Sequence, residues 1–150
     1  MRLADYLTMT NLVCGVLAIL LGDLLTGTIL VLLGAFFDFL DGRVARRQGP
    51  TSMGGELDSL ADMVTFGLAP AVLLFSTIGF WVVTIPLAAA YRLARFNTQP
   101  KKKEFVGLPT PAAAIILLLS AWLPVPEIIL GGLVIIIAVL MVSTIKVKKP

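Results

Sequence analysis

The chain has 150 residues, 58% of them hydrophobic and 14% charged, with a mean hydropathy of +0.98 and a formal net charge of +3. That balance excludes a soluble globular domain and identifies one integral-membrane domain over residues 1–150. The sequence has no histidine, which removes Ser-His and Cys-His nucleophiles and every His-ligated metal site; its one cysteine, Cys14, removes an internal disulfide and a Cys-rich zinc site. Carboxylate oxygen is left as the metal ligand on offer.

Taken in chain order, hydropathy predicts an all-α, polytopic membrane protein with six transmembrane helices, at about Leu7–Leu25, Gly27–Arg46, Gly54–Ile78, Phe80–Phe96, Thr110–Leu123 and Pro126–Ile145. Their lengths stand against the ~20 residues needed to span, and the fifth is short. The first has no small-residue cleavage site before its polar break and is expected to remain as a span. Turn signals separate the segments: Gly22-Asp23 and Gly27, Gln48-Gly49-Pro50, Gly79, the Pro100 to Lys103 run, and Pro124 with Pro126. Pro70, Pro86, Pro109 and Pro111 read as kinks or helix starts.

All twelve Lys and Arg fall on one side of this arrangement: Arg2; Arg43, Arg46 and Arg47; Arg92, Arg95 and Lys101 to Lys103; Lys146, Lys148 and Lys149. The opposite loops hold Asp23 and Glu127. The positive-inside rule then puts both termini and the basic loops in the cytoplasm of a cell-membrane protein. The basic residues form a membrane-flanking belt that favours anionic headgroups, so the net charge is no sign of a nucleic-acid partner.

The polar exception lies at the cytoplasmic ends of the second and third helices: Asp38-x-x-Asp41-Gly42-x-x-Ala45-Arg46, then Gly54-x-x-x-Asp58-x-x-x-Asp62. A carboxylate at the bilayer centre costs about 2.5–3.5 kcal/mol on insertion scales, so a group of them needs compensation. Spacings of three and four put each acidic pair on one helical face, and the two faces meet at one depth. Oxygen ligands from two helices suit Mg²⁺, Mn²⁺ or Ca²⁺ with positions left for phosphate or water. Gly42, Ala45 and Gly54 allow close approach of a flat or bulky group, and the planar fork of Arg46 suits phosphate oxygens. Salt bridging to Arg43, Arg46 and Arg47 is the plainer alternative for these acids.

With all eight of its defining residues in place, this run resembles the signature of the CDP-alcohol phosphotransferase family, over essentially the whole chain. The resemblance implies a polytopic, divalent-metal-dependent enzyme that exchanges the CMP of a CDP-linked lipid for an alcohol. It implies Asp38, Asp41 and Asp58 as metal ligands, Asp62 as general base with a possible reach to the metal, Gly42, Ala45 and Arg46 along the cytidine-diphosphate site, and a homodimer.

The runs Gly107 to Ala114, Ala61 to Ala71 and Arg92 to Asn97 are similar to runs in the phosphatidylserine synthase branch of that family, whose acceptor is L-serine. An amino-acid acceptor needs a cation for its carboxylate: Arg92 or Arg95, with Asn97 nearby and Thr65 or Thr110 in support. Helix-end snorkelling is the alternative for both arginines. Thr8 and Asn11 match polar positions of the branch and are expected as contacts of the donor, CDP-diacylglycerol or CDP-archaeol, unless they bond between helices. Glycerol-3-phosphate or an inositol phosphate stands as the sibling acceptor, and a cation transporter or a membrane scaffold as the readings from other classes.

Overall fold

The computed structural model describes residues 2–49, 51–98 and 105–147, so Lys101 to Lys103, Lys148 and Lys149 lie outside the described residues. The chain is built of helices: α1 (Leu3–Leu21), α2 (Leu24–Gln48), α3 (Ser52–Asp62), a π turn (Met63–Leu68), α4 (Ala69–Ile78), a 3-10 turn (Gly79–Val83), α5 (Thr84–Thr98), α6 (Thr110–Ser120) and α7 (Glu127–Val142). The one sheet contact among the described residues pairs β1 (Phe105–Val106) with β2 (Lys146–Val147), antiparallel.

Three helical runs are long and apolar enough to cross a membrane: Leu3–Leu21, Leu24–Gln48 and Ser52–Thr98. The last of these is interrupted at Gly79, whose φ of 63° leaves the helical region. At a 1.5 Å rise per residue, α6 and α7 reach only about 16 and 24 Å, short of the ~30 Å hydrocarbon core. Exposed Leu20, Phe80, Leu87 and Ile128 put apolar surface where lipid takes the place of water. These features make the chain an integral membrane protein.

Each break has a local cause. Gly22 ends α1 in the left-handed conformation, and Asp23 caps α2 by accepting from the Thr26 N–H at 2.8 Å. That bond holds the exposed Asp23 carboxyl below the usual carboxylate range. Gly27, expected as a break, lies inside α2 instead, where a Cβ would stand 2.5 Å from Leu73 Cδ2; it is a close-packing site. Pro70 has no N–H to return to the carbonyl four residues back, and the chain widens into the π turn just before it. Pro109 and Pro111 start α6.

The core is aliphatic, with Phe66 and Ile85 among Ala18, Val31, Leu117 and Val134. α1 packs mainly on α2 and then on α3, while α5 packs on α7. Two polar regions follow: one framed by α1, α2 and α3, the other by the ends of α5, α6 and α7.

Candidate active site

The end of α2 and the start of α3 bring the acids together. One carboxylate oxygen from each of Asp38, Asp41 and Asp58 lies within 4.8 Å of the others. Asp62 sits one turn deeper on α3, 8% exposed, and lies beside Asp38 as well. Among the described residues, the side-chain hydrogen bonds these acids accept come from α1: Thr8 Oγ1 donates to Asp41 Oδ2 at 2.7 Å, and Asn11 Nδ2 donates to Asp62 Oδ1 at a long 3.4 Å. Arg43, expected as one candidate for neutralising them, instead lies over the Phe39 ring at 5.5 Å.

One oxygen of Asp58, Oδ1, is buried with no hydrogen-bond partner among the described residues. Buried anions without a counter-charge are costly, and three hard oxygens facing one point suit a small divalent cation. The residues present therefore fit the metal that their spacing implied.

A cleft of ≈ 150 Å³ opens beside Asp41 and Asp58. Thr8, Gly42, Ala45 and Gly54 line it, together with Arg2, Asp5, Gly49 and Thr51. At Gly42 a Cβ would meet nothing within 4 Å, so its missing side chain keeps the cleft wide. Gly54 is tucked against its own helix cap: its N–H donates to Thr51 Oγ1 at 3.0 Å, and a Cβ there would stand 2.7 Å from that oxygen.

Two expected donor contacts are not among the residues that line the cleft. Asn11 is fully buried behind the cleft, bonded to Asp62, and Arg46 is exposed beside cleft-lining Ala45. Arg2, which charge topology alone had accounted for, donates from one guanidinium nitrogen to the carbonyls of Gln48 and Gly49, each at 2.9 Å, and so closes the α2–α3 turn over the cleft. Its signal in the sequence was Asp5 three residues on, whose Oδ2 accepts from the Arg2 N–H at 2.8 Å.

The arginines of α5 separate in role. Arg92 donates to the fully buried Thr110 Oγ1 at 2.7 Å, lies within electrostatic reach of Asp62, and keeps its Nε buried without a partner among the described residues. Arg95 donates to the carbonyls of Val142 at 2.9 Å and Ser143 at 3.2 Å, and its guanidinium lies 5.7 Å from the Tyr91 ring centroid. It caps α7.

Of the remaining acceptor candidates, Thr65 is fully buried and donates to the Asn11 carbonyl at 3.0 Å, tying the π turn to α1. The exposed Asn97 accepts from Ser59 Oγ at 3.1 Å and donates to Glu56 at 3.5 Å. Family resemblance had grouped these residues as acceptor candidates, and in the structure Arg95, Asn97 and Thr65 bond between helices. A larger groove of ≈ 530 Å³ between α5 and α7, lined by Leu87, Ile135 and Val139, is almost wholly apolar and away from the acids.

Known proteins match this chain in sequence. The sequence pattern of the CDP-alcohol phosphatidyltransferase family matches residues 1–144. A CDP-diacylglycerol–serine O-phosphatidyltransferase from Methanocaldococcus jannaschii is 42% identical over 98% of this chain and 74% of its own length. One from Bacillus subtilis is 37% identical over 93% of this chain and 86% of its own. An archaetidylserine synthase from Methanothermobacter thermautotrophicus is 39% identical over 96% of this chain and 68% of its own.

Proposed function

The chain belongs to the CDP-alcohol phosphatidyltransferase family, and from that premise we propose that it moves a phosphatidyl or archaetidyl group from a CDP-linked lipid to the hydroxyl of L-serine, releasing CMP. The names of its relatives support the acceptor, and the observation that carries the chemistry is the unneutralised trio of Asp38, Asp41 and Asp58 beside a polar cleft. These three would hold a divalent cation, Mg²⁺ or Mn²⁺, with Ca²⁺ a further candidate; when bound it supplies neutralisation of the charge that grows on the pyrophosphate oxygens.

Asp62 takes the proton of the serine hydroxyl. The serine oxygen forms a bond to the lipid-bearing phosphorus, the bond from that phosphorus to the CMP oxygen breaks, and CMP leaves with the electron pair. Gly42, Ala45 and Gly54 border the cytidine-diphosphate, and Arg2 and Arg46 flank its phosphates. Arg92, held by Thr110 and within reach of Asp62, binds the serine carboxylate, so the acceptor site narrows to these two of the five residues first expected.

In this reading six helices span the membrane with both termini and the cleft facing the cytoplasm, and α6 and α7 cross with help from their flanking turns. Charge topology supports that orientation. A homodimer is proposed on family resemblance alone.

The test is CMP release by purified protein given a CDP-lipid, Mn²⁺, and L-serine, glycerol-3-phosphate or an inositol phosphate, with lipid products resolved. Release with serine alone is the expected result. Release with a phosphate-bearing acceptor alone would replace the acceptor and keep the aspartates; release with none would bring the transporter forward.

A further inference from the structure

We propose that the polar edge of α1, and Thr8 above all, is the outer shell of the metal site rather than a contact for the donor lipid. The inference rests on the reading of Asp38, Asp41 and Asp58 as metal ligands. Thr8 is 3% exposed, and its Oγ1 lies 2.7 Å from Asp41 Oδ2 and 3.0 Å from the Ala4 carbonyl. A hydroxyl has one proton to give, and the bond to an ionised carboxylate is the shorter and stronger of the two. The proton therefore points at Asp41. That fixes the carboxylate by one oxygen and leaves the other with its lone pairs unclaimed by Thr8, in a group that has one oxygen within 4.8 Å of Asp38 and Asp58.

Asn11 repeats the arrangement one turn on. Its spacing of three from Thr8 puts both on one face of α1, and its side-chain amide approaches Asp62 Oδ1 at 3.4 Å. Asn11 is itself held, because its carbonyl accepts from Thr65 Oγ1 at 3.0 Å. Gly15, four residues further on, lets α1 press onto the π turn, since a Cβ there would stand 2.7 Å from Thr65 Cα. One face of α1 thus touches an acid from α2 and an acid from α3, and sets their mutual orientation. Outer-shell partners of this kind typically change metal affinity by about 10- to 100-fold when removed.

The experiment titrates the purified full chain in detergent with Mn²⁺ alone, without either substrate, by calorimetry or electron paramagnetic resonance. Thr8→Val keeps the shape and removes the donor, and its Mn²⁺ affinity is expected to fall about 10- to 100-fold. Thr8→Ser, which keeps the hydroxyl, is expected to bind close to the wild type. If the valine variant does not fold, Thr8→Ala removes the donor without adding bulk and carries the same expectation. Unchanged Mn²⁺ affinity in the folded valine or alanine variant would overturn the inference. Absence of Mn²⁺ binding by the wild type, or full binding by Asp58→Asn, would overturn the metal site itself and the inference with it, a separate failure visible in the controls.

Discussion

The acidic cleft and the arginine cluster are held by opposite means. The aspartates of α2 and α3 receive neutral donors from α1 and no arginine hydrogen bond among the described residues, so their charge remains free to act on a cation. Arg95, by contrast, spends its guanidinium on the last carbonyls of α7, which turns a charged group into a structural clasp. Arg92 stands between the two cases: one nitrogen is tied to Thr110, while Nε has no partner among the described residues and Asp62 is within electrostatic reach. The difference teaches that the two arginines of α5 divide by what reaches them: backbone carbonyls take up Arg95, while Arg92 meets a hydroxyl and a distant acid.

Substitutions can break or sharpen that contrast. The largest effect is expected for Asp58→Asn, which removes one carboxylate from the proposed metal-binding trio; several kcal/mol of transition-state stabilisation correspond to roughly a 10³-fold loss of CMP release, measured with saturating serine. Next comes Arg92→Met. Removing one partner of a buried charge pair costs about 2–5 kcal/mol, so the KM for serine should rise by roughly 30-fold or more while the KM for the CDP-lipid stays put. Equal rises in both would place Arg92 outside the acceptor site.

Arg95→Met should do the reverse, lowering the melting temperature in detergent and leaving the KM for serine unchanged. Gly107→Ala attacks the same clasp from the other side. Gly107 sits at φ 76°, its N–H donates to the Ile145 carbonyl at 3.1 Å, and a Cβ would stand 2.8 Å from the Met141 carbonyl. Strain of about 1–3 kcal/mol is expected there, read as a lower melting temperature. Gly42→Ala has the smallest effect on stability, because its Cβ enters open space, yet it should weaken CDP-lipid binding by narrowing the cleft.

The acidic cluster was legible in the sequence because helical period and apolar surroundings leave little freedom: Asp38 with Asp41, and Asp58 with Asp62, can face only one another once α2 and α3 pack. The helix breaks at Gly22, Gly79 and Pro109 were legible for the same local reason. What sequence could not separate were residues of one type on one helix. Arg92 and Arg95 differ in which carbonyls and hydroxyls arrive from α6 and α7, and those are tertiary facts. Gly27 looked like a turn because glycine serves both turns and close packing; only the approach of Leu73 decides between them. Asn11 and Thr65 entered as ligand candidates on family resemblance, and a polar side chain in an apolar helix signals a partner without saying whether that partner is substrate or another helix.

The most direct measurement compares wild type with Asp62→Asn for two quantities, turnover of CMP release with L-serine and affinity for the CDP-lipid. General-base help is worth about 10²–10⁴ in rate, so turnover should fall by that much while lipid affinity is retained. Equal loss of turnover and affinity would contradict the account, because Asp62 would then be a binding residue and the proton would have to leave by another route.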